Sequence, residues 1–278
     1  MRYKEVLNNF FLSFMILAIC IPGISKDNRV ESRWIDTAVT IDGSNNEWKG
    51  DTLTYEKKVS VDYALRNDSE NLYVLFIFKN PKFMSSINKT GMILWFDTEG
   101  KKKKKYGIRF QRKMITADAY ISLVEKAMGP IPEEKKKEIK LRPRYLVFLN
   151  EVIDKKGEAS VIRHSPSAPA FNSREGKDVV TYELRIPLKR GEAEPVGIGT
   201  EPGKNVKIGF EWGGMTREMK AEMMRRRAET ASRGTISSAS MEDFEKEETV
   251  RGESAPMSLK RVPKKHSFWV EVILAQNQ

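Results

Sequence analysis

Residues 71–78 read NLYVLFIF, a stretch with no charge, no proline and no glycine. Alternate side chains of an extended chain point to opposite faces, so Leu72, Val74, Phe76 and Phe78 line one face and Tyr73, Leu75 and Ile77 the other. A strand apolar on both faces has to be covered on both sides, which places it at the centre of stacked layers. Just upstream, VSVDYAL sets Val59, Val61, Tyr63 and Leu65 in alternation with Ser60, Asp62 and Ala64, the period-two pattern of a half-buried strand. The connecting RNDSE carries Asn, Asp and Ser, which turn a chain by bonding their own backbone. A hairpin with a fully covered second strand constrains the chain to stacked sheets.

The rest of the chain repeats the theme. GMILWFDTEG, YGIRFQ, YLVFLNEVIDKKGEASVI, VVTYELRIPL and NVKIGFEWGG are apolar or alternating runs bounded by turn residues. In VVTYELRIPL the apolar face is Val180, Tyr182, Leu184 and Ile186. MITADAYISLVEKAM reads as strands through Ile115 and Ile121, and GPIPEEKKKEIKLRP as a charged, proline-bounded loop. Residues 215–265 change character. Met215, Met219, Met223 and Met224 fall near helical spacing among strong helix formers, and the low hydrophobicity that follows predicts a mobile segment. SFWVEVILA then closes the chain as a strand. The expected fold is all-β: a two-sheet antiparallel β-sandwich of jelly-roll or immunoglobulin-like type. A partly helical, mobile insertion (215–265) precedes its last strand, within one domain spanning residues 26–278.

The N-terminus predicts export. Arg2 and Lys4 precede an uncharged apolar run from Phe10 to Ser25, too short for a comfortable membrane span and fit for a signal peptide over residues 1–25. A lipoprotein signal using Cys20 is the rival reading. Cys20 is the sole cysteine, so disulfides and thiolate metal sites are excluded from a chain cut downstream of it. The expected location is secreted or periplasmic, at the cell envelope, with no membrane span in the mature domain. A net charge of +11 admits acidic glycans or anionic lipids as neighbours, whereas the export signal argues against nucleic acid.

One short motif carries more. Ile41, Asp42 and Gly43 form a tight-turn sequence ahead of Glu47 and Trp48, then come NDSENLYVLFIFKNP, MILWFDTEG, VVTYELRIPL, NVKIGFEW and the terminal FWVEVILA. In this order the segments resemble the family 9 carbohydrate-binding modules and their family 9-like, DOMON-related β-sandwich relatives, over roughly Ile41 to Ala275. The resemblance implies a non-catalytic sandwich in which two tryptophans clamp a sugar ring while acidic and amide groups bind its hydroxyls. Stacking suits a sugar because its axial C–H groups present an apolar face.

The family's clamp positions fall in KFMSSINKT and MSLKRVPKKHS, and neither holds a tryptophan; an acid expected on the MILWF strand falls at Ile93. Other residues have to supply the site. Trp95 shares a strand face with Ile93 and Asp97, Trp212 adjoins Glu211, and Phe83 is the one aromatic of the first clamp segment. Trp95, Trp212, Phe83 and Asp97 are therefore the candidate ligand-binding residues, with core packing the alternative for each tryptophan. Trp48 is read as a core anchor and Trp269 is ambiguous. DGSNNE and NDSEN hold enough oxygen ligands for calcium, although turn formation accounts for them equally, and no other cofactor is expected. Asn67 and Asn88 begin glycosylation sequons.

No nucleophile elbow, phosphate loop or zinc-binding helix motif occurs, and the two histidines, His164 and His266, lie about a hundred residues apart in polar stretches. The chain is thus not expected to be an enzyme. Lys101 to Lys105 would crown a hairpin, within reach of lipid headgroups or an acidic glycan. The expected function is an exported module binding a carbohydrate at the envelope. The alternative is an envelope scaffold that docks a protein partner through 215–265.

Overall fold

The computed structural model of the protein describes residues 28–162, 165–191, 195–216, 219–221, 223–225, 228 and 264–277. The leader reading of residues 1–25, with Cys20, and His164 lie outside the described residues, as does most of 215–265. The described part of that segment starts a helix after Thr216, whose hydroxyl accepts the Met219 N–H at 3.2 Å.

Strands make two sheets. The strands are β1 (Asn28–Glu31), β2 (Arg33–Trp34), β3 (Thr54–Glu56), β4 (Val61–Asn67), β5 (Asn71–Phe78), β6 (Met92–Asp97), β7 (Tyr106–Thr116), β8 (Arg144–Asp154), β9 (Ala159–Val161), β10 (Ala170–Glu175), β11 (Val180–Pro187), β12 (Asn205–Trp212) and β13 (His266–Ile273). Helices interrupt them at α1 (Pro81–Thr90), α2 (Ala117–Met128) and α3 (Glu133–Lys140), besides the one that starts after Thr216. One sheet runs β1-β13-β12-β6-β7-β8-β9, and the other β10-β11-β5-β4-β2 with β3 beside β4. The pairings are antiparallel, as expected of the sandwich, except that β1 joins β13 and β2 joins β4 in parallel.

Those two parallel pairs belong to one N-terminal stretch that leaves the first sheet for the second at Ser32. The crossing is buried and polar, so it has to bond itself. Asn67, wholly buried at the end of β4, accepts from the Ser32 hydroxyl and the Ala275 N–H and donates to the Ala275 carbonyl. Its sequon is spent on this corner. Asn88 stays exposed.

The central strand behaves as its pattern requires. Leu72, Val74, Phe76 and Phe78 face the other sheet, where Phe76 meets Phe210 edge-on at 5.0 Å and Phe78 meets Trp212 at 5.7 Å. Such side chains contribute roughly 1.5–3 kcal/mol each on burial. Tyr73, Leu75 and Ile77 point away and are covered by Val39 and Trp48, which belong to the irregular stretch 35–53 rather than to a third sheet. The same cover buries all of β4, including Asp62 and Arg66, so the half-buried strand expected there is closed on both faces.

The Ile-Asp-Gly turn and Trp48 dock through Glu183, a wholly buried carboxylate on the outward side of β11. Glu183 accepts the N–H groups of Asp42 and Gly43 at 3.0 and 2.7 Å with one oxygen and the Trp48 indole N–H at 2.7 Å with the other. Gly43 has φ +81°, and a Cβ there would strike the β10 backbone at Ser173, 2.7 Å away. The turn thus demands glycine twice over. Arg66 lies over the Trp48 ring at 4.7 Å and grips Asp51 with two bonds of 2.6 and 3.0 Å.

Two readings of the middle of the chain are corrected. Strand β7 carries Ile115 but stops at Thr116, and Ile121 lies in α2. Thr116 caps that helix, Asp118 sits in its first turn, and Ala117, Tyr120, Ile121 and Val124 recur at helical spacing. GPIPEEKKKEIKLRP is not all loop: residues 133–140 are α3, with Glu133 and Glu134 at its positive end and Lys137 and Lys140 at its negative end. The helices pack on Ile121 and Ile139 at the tip of a long β7–β8 arm, where Tyr120 stacks on Tyr145 at 4.3 Å.

Candidate binding cleft

Among the described residues, the outward face of the seven-stranded sheet receives no such cover. Alternation on β6 sends Met92, Leu94 and Phe96 into the core and leaves Ile93, Trp95 and Asp97 facing out. On β12 the same parity turns Phe210 and Trp212 inward and Lys207, Gly209 and Glu211 outward. On β13 it turns Phe268 inward and Trp269 outward.

Register then brings glycine opposite tryptophan. Trp95 pairs with Gly107 on one side and Gly209 on the other, and Gly209 also pairs with Trp269. A Cβ on Gly107 would lie 2.8 Å from Cε3 of Trp95, and one on Gly209 would lie 2.6 Å from Cε2 of Trp269. Both indoles therefore lie down on the sheet, each in the space its glycine leaves. The result is an aromatic strip across β13, β12, β6 and β7.

A cleft of about 250 Å³ opens beside this strip. Ile93, Trp95 and Arg109 line it from β6 and β7, Ile153 and Gly157 from the β8–β9 hairpin, and Glu211, Trp212, Gly213, Gly214 and Lys265 from the opposite flank. Thr90 and Gly91, at the end of α1, complete one rim together with Met215 and Thr216. Thr90 fixes that rim by accepting the Gly213 N–H at 2.8 Å.

The polar groups of the cleft are charged. Glu211 binds Lys104 and, at 3.0 Å, Lys265. Burial acts to raise the Glu211 pKa, but these two ammonium groups prevail and hold it below the ordinary glutamate range. Lys104 also stands 5.9 Å above the Trp95 ring. Arg109 pairs with Glu151 through its Nε at 2.6 Å. Trp95 is only 6% exposed, yet its indole N–H finds no acceptor among the described residues, and neither does that of Trp212.

The structure brings some of the candidate residues together and not others. Trp95 lines the cleft from the outward face. Trp212 is a core residue, packed against Phe78 and Phe268 and stacked on His266 at 5.6 Å, that reaches the cleft at its end. Burial and the nearby Lys264 lower the pKa of His266. Asp97 shares the outward face with Trp95 but is not among the cleft's lining residues; its two oxygens accept the Glu99 and Lys103 N–H groups at 2.9 and 2.6 Å and so shape the lysine loop. Phe83 lies in α1, and its side chain is outside the described residues. The oxygen-rich turns are likewise engaged locally, Asp68 capping Glu70, Asn71 and Tyr73. No group of three metal-ligating side chains gathers among the described residues.

Sequence reasoning had no route to Arg109 or Lys265, but Glu211 was readable as outward from the parity of Phe210 and Trp212. Its place is informative, because Glu211 is the cross-strand partner of Ile93. The acid expected on β6 at Ile93 is absent there, and the cleft's carboxylate comes from β12. Each of the two segments expected to hold clamp tryptophans contributes one lining residue, Thr90 from KFMSSINKT and Lys265 from MSLKRVPKKHS.

No protein-family model matches the chain, and no curated protein matches it. Among solved structures it is similar to a family 9 carbohydrate-binding module from Caldicellulosiruptor kristjanssonii in complex with glucose, with 11% identity, a TM-score of 0.33, and coverage of 69% of this chain and 81% of that one. A family 9 module from the same organism in complex with cellotriose matches with 11% identity and a TM-score of 0.33 over 69% and 80% of the two chains. A candidate carbohydrate-binding protein from Bacteroides uniformis matches with 10% identity and a TM-score of 0.35 over 68% and 84%. The sandwich itself stands on the strand pairings of this chain.

Proposed function

We propose that the protein is a non-catalytic carbohydrate-binding module whose site is the cleft on the outward face of the seven-stranded sheet. One observation carries the reading: an aromatic wall, Trp95, shares a cleft with a carboxylate and two cations. A sugar needs this combination, an apolar surface for its C–H face and directional polar groups for its hydroxyls. Trp269 extends the aromatic surface for a ligand of more than one ring. The apolar run from Phe10 to Ser25 supports export, and so a role outside the cytoplasm at the cell envelope.

The direct test is a glycan array followed by titration calorimetry on the hits. A saturable hit lost in Trp95→Ala, in a protein whose circular dichroism is unchanged, supports the reading. A blank array across neutral and acidic glycans sinks it. A second reading, an envelope scaffold, is favoured by the β7–β8 arm. There Met114 and Leu146 are paired across the strands, and they and Phe148 are 55%, 47% and 41% exposed. An apolar surface of this kind suits a protein partner. Blank arrays together with loss of partner capture in Leu146→Asp would move the assignment there.

A further inference from the structure

The loop between β6 and β7 folds back over the cleft rim and brings an excess of positive charge with it. Lys101, Lys103 and Lys105 all converge on one carboxylate, Glu99, at 3.4, 3.7 and 3.0 Å. Lys104 and Lys265 converge on another, Glu211. Five ammonium groups thus share two carboxylates. Asp97, the remaining acid of the loop, is buried and bound to backbone N–H groups.

We infer that the glycan this cleft takes is acidic, with a carboxylate or sulfate seated against Lys104 and Lys265 at the edge of Trp95. The inference rests on the carbohydrate reading above. An ammonium group has three donors, so a lysine bound to Glu211 keeps capacity for ligand oxygens. Glu211 has a side chain only 14% exposed, and charge-assisted bonds in such partly dry surroundings are strong. A neutral sugar would leave the excess charge uncompensated, whereas an anionic group would complete it. The geometry also separates a glycan from a lipid surface. The lysines that matter stand on the rim of a cleft whose floor tryptophan is 6% exposed, and a flat membrane cannot reach that floor.

The test is an array of uronic-acid and sulfated oligosaccharides printed beside their carboxyl-reduced and desulfated counterparts, with titration of the hits at low and high salt. The acidic forms should bind about tenfold more tightly at low salt, and added salt should close the gap. Lys104→Gln and Lys265→Gln should each collapse the ratio between acidic and neutral forms. Glu99→Gln, which removes a competing carboxylate, should widen it, a change of opposite sign that general misfolding would not produce. Hits of equal strength on both forms overturn this inference and leave the carbohydrate reading standing. A wholly blank array overturns both. Binding to vesicles of anionic phospholipid without any glycan hit also overturns it, and assigns the lysines to a lipid surface.

Discussion

Trp48 and Trp95 lie on the outward faces of opposite sheets in matching company, and they end in different states. Each has a strand carboxylate beside it, Glu183 for Trp48 and Glu211 for Trp95, and each has a cation over its ring, Arg66 at 4.7 Å and Lys104 at 5.9 Å. Around Trp48 every bond is made. The indole N–H reaches Glu183, the other Glu183 oxygen holds two backbone N–H groups, and Arg66 is locked to Asp51. Around Trp95 the indole N–H has no acceptor among the described residues, and Glu211 is paired only with long surface lysines. A satisfied buried network fixes one conformation, which is what a structural layer needs. Around Trp95 a buried donor is left unpaired among the described residues, so this side is the less completely bonded of the two.

The largest expected effect breaks the closed side of this comparison. Asp51 is 4% exposed at its side chain and Arg66 9%, so removing the acid strands a buried guanidinium. Asp51→Ala should cost about 3–5 kcal/mol of stability, as for other broken buried pairs. Urea denaturation measures it. A cost under about 1 kcal/mol, the range of an exposed ion pair, would mean that stretch 35–53 is a loose flap rather than a docked layer.

How much of this contrast could be read from the chain differs between its two sides. NLYVLFIF announces a doubly covered strand because local alternation alone decides it, and Trp48 reads as an anchor because it follows a turn that must stay close to a sheet. The helices are another matter. Ala117, Tyr120, Ile121 and Val124 do fall at helical spacing after the Thr116 cap, but β-branched Ile115 and Ile121 suggest strand continuation, and only tertiary packing at the arm tip decides between them. In α3 the lone buried Ile139 leaves almost no apolar period to detect. On the open side, Trp95 was legible as outward beside Ile93 and Asp97. Trp212, for which core packing stood as the alternative to a ligand role, shares the inward parity of Phe210 and is buried. The pairing of Gly107 and Gly209 with the tryptophans depends on register between strands far apart in sequence. No local pattern reveals it.

The next test sharpens the comparison by removing one atom type from each side. Trp48→Phe keeps an aromatic ring but deprives the buried Glu183 of a donor, and should cost about 1–3 kcal/mol. Trp95→Phe loses the same ring volume but deletes an N–H that bonds to nothing among the described residues, so it should cost about 1 kcal/mol less than Trp48→Phe. Thermal and urea unfolding of the two variants give the ratio directly. Equal costs would show that the Trp95 N–H has found an internal acceptor and that the two sides are bonded alike.

The smallest effect is in pH, and it separates two acids within the closed layer. Burial raises the pKa of Glu183, and the donors from Trp48, Gly43 and Asp42 only partly offset it. For Asp51 burial also acts upward, but the bonds and charges of Arg66 and Arg33 outweigh it and lower the pKa. A raised carboxyl binds more protons folded than unfolded. Its stabilisation is therefore present below the ordinary glutamate value and is lost as pH rises through the raised one. A lowered carboxyl works in reverse, stabilising above the ordinary aspartate value and failing as pH falls through its own. Stability measured against pH should accordingly show the advantage of wild type over Glu183→Gln shrinking as pH rises, and its advantage over Asp51→Asn shrinking as pH falls. Slopes of the same sign would mean that the three donors on Glu183 dominate its burial. The docking of the Ile-Asp-Gly turn would then be an ionic contact rather than a desolvated one.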